Sequence, residues 1–294
     1  MNGQTYNISR VILVFSSILL GFLTANAAVL TNGDADTNRN PVADFDGDGK
    51  SDISVFRPSN GFWYIMQSSG GYSSVQWGLA FDTLVPGDYD GDGKTDLAVY
   101  RRGFFASTGG DNNTWYILRS SDNAIRARQW GRIAIFVNDV PVPADYDGDS
   151  KTDLAVYSLS DAIPSTGNFR ILQSSTDSGV IRQWGTNIDR RVPADYDGDG
   201  KADLAVYRDF ELFGNTLDGN WYILQSSNGA VRVERFGLPT DKFVPADYDG
   251  DGKADIAVFR PSSGIWYLQR SSEGFAAHVF GFQDDIPIPN VFVR

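Results

Sequence analysis

The chain has 294 residues, no cysteine, a single histidine and a formal net charge of -12, with 41% apolar and 13% aromatic residues. That is enough apolar matter to bury a sizeable core, and it excludes disulfides, thiolate metal sites, cysteine nucleophiles and most imidazole chemistry. The negative balance, without any lysine or arginine block, also argues against nucleic acid as a partner, because phosphate binding needs a basic face.

The acid is unevenly made. Only Glu211, Glu234 and Glu273 are glutamates among the 37 acidic residues. Glutamate favours helices whereas aspartate favours turns and compact oxygen cages, so the bias points to β-structure with turn-borne carboxylates.

Taken in chain order, residues 1–27 read as an export signal: Arg10 is the only charge, 11–23 is an apolar run, and Ala25-Asn26-Ala27 fits the small-residue cleavage rule. The expected location is secreted or cell-surface. The apolar run is short for a membrane span, and after removal of the signal no segment comes near the length needed. Residues 28–40 form a polar, flexible lead-in.

From residue 41 to 294 the sequence repeats itself five times, at about 41–85, 86–142, 143–192, 193–244 and 245–294. Each unit has a Val-Pro or Pro-Val step, an aspartate loop, a run such as Leu97-Ala98-Val99-Tyr100, a run such as Trp115-Tyr116-Ile117-Leu118, and a closing Trp-Gly or Phe-Gly. An aspartate (Asp82, Asp139, Asp189, Asp241, Asp285) then stands four residues before the next proline, marking a turn between units. Short runs rich in Val, Ile, Tyr and Trp, bounded by Gly, Ser, Asn and Pro, are strands. With about four per repeat, the predicted fold is all-β: a β-propeller of five four-stranded blades, since ring closure removes unprotected sheet edges. A sixth copy starts at Ile286 and stops after one strand, which is predicted to close the ring against the blade that begins near Pro41.

Five loops carry the chemistry. They place aspartates at positions 1, 3, 5 and 9 and a lysine at 7: Asp44, Asp46, Asp48, Lys50, Asp52; Asp88, Asp90, Asp92, Lys94, Asp96; Asp145, Asp147, Asp149, Lys151, Asp153; Asp195, Asp197, Asp199, Lys201, Asp203; and Asp247, Asp249, Asp251, Lys253, Asp255. Alternate carboxylates with glycine at position 6 match the start of a calcium loop, the lysine ligating only through its backbone carbonyl. Position 12 holds Val55, Val99, Val156, Val206 and Val258 where an EF-hand needs a glutamate, so the chain leaves each loop as a strand and Asp at position 9 closes the site early. Hard all-oxygen donors select Ca²⁺ over zinc or copper, and a full protein cage disfavours Mg²⁺. Up to five Ca²⁺ ions are expected, and five divalent cations nearly cancel the formal charge of -12. The third site is expected to be the weakest, because Ser150 replaces the turn glycine.

These loops, each followed by a β-run and accompanied by Phe-Gly or Trp-Gly steps, resemble the FG-GAP repeats of integrin α-subunit propellers and their bacterial VCBS-type relatives. The Gly-Ala-Pro of the family stands here as Phe56-Arg57-Pro58 or Phe259-Arg260-Pro261 and is lost in the middle repeats. Integrin-like propellers have seven blades against the five repeats here. The resemblance implies a calcium-stiffened propeller used in extracellular adhesion or ligand binding.

The partner class expected is an extracellular glycan or protein. In repeats two, three and four the link between the second and third strands grows to 101–114, 158–168 and 208–220, all on the face opposite the calcium loops, and carries Phe104, Phe105, Phe210 and Phe213 as candidate ligand contacts. The tryptophans of the Trp-Tyr and Trp-Gly steps recur too regularly for that role and are expected to pack between blades. Few carboxylates remain outside the loops for acid–base work, so no enzyme is expected. A calcium-dependent polysaccharide lyase or hydrolase, and a purely structural surface module, are the alternatives.

Overall fold

A computed structural model describes residues 42–103, 113–131, 139–159, 166–212 and 215–288. The expected signal and lead-in, residues 1–40, lie outside them. The described residues form five four-stranded antiparallel sheets, with no helix among them, arranged as a five-bladed propeller.

Blade 2 shows the plan: β4 (Thr83–Leu84), β5 (Leu97–Arg101), β6 (Thr114–Leu118) and β7 (Ile125–Gln129), hydrogen-bonded in chain order. Blade 3 repeats it with β8 (Val140–Pro141), β9 (Leu154–Leu159), β10 (Thr166–Leu172) and β11 (Gly179–Thr186). Blade 4 uses β12 (Arg190–Arg191), β13 (Leu204–Leu212), β14 (Asn215–Leu224) and β15 (Val231–Arg235). Blade 5 uses β16 (Lys242–Phe243), β17 (Ile256–Arg260), β18 (Ile265–Arg270) and β19 (Gly274–Val279).

Blade 1 has only three strands of its own, β1 (Ile53–Arg57), β2 (Phe62–Met66) and β3 (Tyr72–Gln76). Its inner strand is β20 (Ile286–Ile288), which pairs Ile288 with Ser54 and Ile286 with Phe56. The predicted closure is therefore real, and it follows from an offset: the first strand of each blade precedes its aspartate loop, so the last repeat supplies what the first lacks.

Burial explains the sequence pattern. Second strands such as Ile53-Ser54-Val55-Phe56 and Leu97-Ala98-Val99-Tyr100 are buried on both faces, because neighbouring blades cover both, and so read as continuous runs rather than alternation. Third strands alternate, burying Trp63 and Ile65 or Trp115 and Ile117. Fourth strands are mostly exposed. Trp63, Trp115, Trp221 and Trp266 have no exposed surface, and each donates its indole N–H to the carbonyl of the Trp-Gly or Phe-Gly step of its own blade. Two of the three Trp-Gly tryptophans reach across instead: Trp130 donates to Arg170 O and Trp184 to Tyr222 O in the following blade, whereas the buried Trp77 Nε1 has no hydrogen-bond partner.

One predicted link is not a loop. In blade 4, β13 and β14 extend into a long hairpin with a bulge between Arg208 and Phe210, leaving only residues 213–214 between the strands.

Candidate metal centres

Every aspartate loop is wired the same way. The first aspartate accepts the N–H of position 4 on Oδ1 and of position 6 on Oδ2, as Gly91 and Gly93 donate to Asp88 at 2.6 and 2.8 Å. Equivalent pairs surround Asp44, Asp145, Asp195 and Asp247. Positions 4 and 6 both have φ near +80°, a region closed to most side chains, which is why both are glycine in four loops. Ser150 takes the same turn at φ 65 despite its Cβ.

The ninth aspartate is buried in all five loops. It accepts the N–H of position 2 on Oδ2, and on Oδ1 the N–H of a serine from the link between the third and fourth strands. That serine opens a Ser-Ser pair present in every repeat: Ser68-Ser69, Ser120-Ser121, Ser174-Ser175, Ser226-Ser227 and Ser271-Ser272. Its hydroxyl donates to the fifth aspartate, and the second serine donates to the third aspartate, as Ser226 to Asp199 at 2.8 Å and Ser227 to Asp197 at 2.6 Å. The pairs were not singled out from sequence, although their fixed register just after each third strand was the available signal. Tyr89, Tyr146, Tyr196 and Tyr248 at position 2 rivet the loop to the inner strand by donating to the carbonyl four residues back.

The loops are also joined to one another. The N–H of position 8 donates to the carbonyl of position 1 in the preceding blade: Thr95 to Asp44, Thr152 to Asp88, Ala202 to Asp145, Ala254 to Asp195 and Ser51 to Asp247, all between 2.6 and 2.8 Å. Each lysine at position 7 holds its backbone N–H on the fifth aspartate. Its stem lies across the position-4 glycine of the preceding blade, with Lys151 Cε 2.7 Å from where a Cβ on Gly91 would stand. The ring of contacts is complete: Lys94 on Gly47, Lys151 on Gly91, Lys201 on Gly148, Lys253 on Gly198 and Lys50 on Gly250.

In each blade three carboxylates converge with ligand atoms within 4.8 Å of one another: Asp44, Asp46 and Asp48; Asp88, Asp90 and Asp96; Asp145, Asp147 and Asp153; Asp195, Asp197 and Asp199; Asp247, Asp249 and Asp251. Burial, reinforced by repulsion from neighbouring carboxylates, pushes the first and ninth aspartates up, to about 6 for Asp44, Asp52, Asp96, Asp153 and Asp195 and about 7 for Asp145, Asp203 and Asp255. Asp90 Oδ1 and Asp249 Oδ1 are buried without any hydrogen-bond partner. A buried carboxylate oxygen that no donor satisfies, facing other carboxylates in an all-oxygen cluster, is the position a hard cation fits. Each of the five clusters could therefore hold a metal ion, one per blade.

At the opposite end of the blades, the turn aspartates do more than end a repeat. Asp82, Asp189, Asp241 and Asp285 are buried and held by two-pronged pairs with Arg101, Arg208, Arg260 and Arg57. Each of these arginines lies over a tyrosine of the third strand, Tyr116, Tyr222, Tyr267 or Tyr64, at 4.5–5.3 Å from the ring centroid. Phe104, Phe105 and Phe213 lie outside the described residues. So does the side chain of Phe210, whose backbone sits in β13 opposite Leu217.

Fold and loops together define a five-bladed propeller with one carboxylate cluster per blade. The FG-GAP-like repeat family matches residues 44–99 and 195–258, and the FG-GAP repeat family matches residues 242–279. The chain thus carries FG-GAP-like repeats in its first two and last two blades. Comparison with curated proteins gives no match.

Proposed function

We propose that the protein is a secreted, calcium-stabilised propeller that serves as an extracellular recognition module for a glycan, with the ions acting as struts and the ligand bound elsewhere. The observation that carries this reading is the ring of loop-to-loop hydrogen bonds, 2.6–2.8 Å long, which ties all five carboxylate clusters into the framework. Backbone groups so committed are poorly placed to rearrange around a substrate. The oxygen-only donor set favours Ca²⁺, which would be held by the converging aspartates and would supply charge neutralisation. At the other end, Phe81 and Phe282 stand 63% exposed on the turns between blades, the kind of surface on which a sugar ring can stack.

A glycan array probed with the calcium-loaded protein, and again after chelation below the unfolding temperature, tests the proposal. Binding to a defined set of glycans that weakens only as the fold loosens supports it. Binding that disappears on chelation while the fold stays intact would place the ion in the ligand site, and the absence of any glycan signal from the loaded, folded protein would remove the glycan reading.

A further inference from the structure

The five-fold pattern breaks at one place on the turn end of the ring. In four blades the fifth residue of the second strand is an arginine, which lies on a third-strand tyrosine. In blade 3 both partners change: Ser158 stands for the arginine and Arg170 for the tyrosine, in the same register, since Val156 pairs with Arg170 as Val99 pairs with Tyr116. Ser158 is small and turns to Asp139, donating at 2.5 Å.

Arg170, at the tyrosine's position, lines an open pocket of about 550 Å³ between blades 2 and 3. It is lined by Gln129 and Trp130 from blade 2 and by Val156, Arg170 and Ile181 from blade 3. Trp130 is half-buried and its ring is fixed by the hydrogen bond to Arg170 O, 3.2 Å, and by packing on Gly179, whose Cβ would meet the ring at 3.2 Å. Arg170 Nε is buried and has no hydrogen-bond partner. A buried guanidinium N–H without an acceptor is costly unless something supplies one. Arg128, from the facing β7, adds a second guanidinium at this junction and bridges to Asp177 of blade 3.

We propose that this cleft is a binding site for a carboxylate-bearing sugar residue, a uronic acid unit of an acidic polysaccharide, with the carboxylate on Arg170 and the ring face on Trp130. A planar guanidinium matches a carboxylate, and a rigid indole matches the apolar face of a pyranose. The pocket is local cationic ground on a chain of net charge -12, so a neutral sugar would leave its arginine unsatisfied. The inference rests on the glycan-module reading and names the class of glycan.

The test uses the calcium-loaded full chain and tryptophan fluorescence or calorimetry with three probes: an oligogalacturonate, the matching neutral oligogalactoside, and sodium acetate. Expected is saturable binding of the acidic oligomer, at least about ten-fold tighter than the neutral one, and no saturation by acetate at equal concentration. The double variant S158R/R170Y rebuilds the stack present in the other four blades, so it should fold with unchanged melting behaviour and lose the acidic oligomer. Arg170→Gln alone should weaken it on the order of ten-fold or more. Equal binding by the double variant, or acetate binding as well as the oligomer, overturns the site. If the acidic oligomer fails to bind while neutral glycans score on the array, this site is wrong and the glycan-module reading stands.

Discussion

The backbone N–H of Ser51 donates to the carbonyl oxygen of Asp247 at 2.8 Å. These residues belong to the first and last aspartate loops, and their bond completes a ring in which each loop grips the next. Four carboxylates per loop, most of them at least partly shielded from water, repel one another at neutral pH unless a cation lies among them. Strain in one loop therefore acts directly on a neighbour through the carbonyl of its first aspartate.

Metal removal should accordingly be felt by the whole ring. Chelation with EDTA is expected to lower the melting temperature markedly, and excess Ca²⁺ to restore it, because binding energy is folding energy at such sites. Asp195→Ala, which takes a carboxylate from the fourth cluster, should reduce the bound calcium and lower the melting temperature. Superimposable melting curves with EDTA and with millimolar Ca²⁺ would sink the calcium reading.

The third loop gives a stabilising substitution. Ser150 holds φ 65, a conformation that costs a residue with a Cβ about 1 kcal/mol relative to glycine. Ser150→Gly is expected to raise stability by roughly that amount and to tighten the third site in a calcium titration. Unchanged stability and affinity would mean that the loop turns without strain.

Two glycines separate backbone strain from contact between blades. Gly91 and Gly229 both have positive φ, at 81 and 71, but a Cβ on Gly91 meets Lys151 Cε at 2.7 Å whereas Gly229 has nothing within 4 Å. Gly229→Ala should cost about 1 kcal/mol, from conformation alone. Gly91→Ala should cost measurably more in chemical denaturation, and Lys151→Ala in the Gly91→Ala background should recover part of the excess. Equal losses at the two positions would show that the lysine stem is not a strut.

Much of this was legible in the sequence. Five repeats, the strand runs, the aspartate spacing and the stray sixth strand at Ile286 are local patterns, and local patterns survive in one dimension. What the sequence concealed is what joins repeats to one another. The lysine at position 7 read only as a backbone-carbonyl ligand because the partner of its stem, a glycine in the preceding blade, has no side chain to suggest a contact. The arginine of Arg57 and the aspartate of Asp285 are 228 residues apart, so their pair, at 2.9 Å, has no trace in spacing. The hairpin of β13 and β14 read as a loop because Asp209, Glu211, Asn215 and Asp218 lack a strand's composition, and its ladder is a hairpin's own rather than a blade's.

The carboxylate pKa values set a pH dependence. In the metal-free fold, burial raises the first and ninth aspartates above the ordinary 3.8, to about 6 for Asp44 and Asp52 and about 7 for Asp145, Asp203 and Asp255. A group whose folded pKa is raised lends stability at low pH that is lost as pH rises through the folded value. The chelated protein should therefore be more stable at pH 5 than at pH 8. Calcium requires the deprotonated carboxylates, so its stabilising effect should run the other way and be larger at pH 8. Equal calcium-induced shifts in melting temperature at the two pH values would contradict this account.

The last expectation concerns the strand that closes the ring. Ile288 has no exposed surface and packs in one cluster with Ala43, Phe56 and Trp63, while Ser54 Oγ donates to its carbonyl at 3.3 Å. Removing residues 286–294 leaves the hydrogen-bonding edge of β1 without a partner and strips cover from that cluster, yet blades 2 to 5 keep all four strands. The truncated protein should still fold but with a lower melting temperature and a broader transition, because blade 1 separates from the cooperative unit. Hydrogen exchange should find the amides of β1 and β2 among the least protected, against strong protection in β5, β9 and β13. A synthetic peptide covering 284–294 added in trans should restore protection to β1. Exchange that stays uniform across the five blades after truncation would show that the ring does not depend on its closing strand, and that the bond from Ser51 to Asp247 and the pairing of neighbouring loops hold it alone.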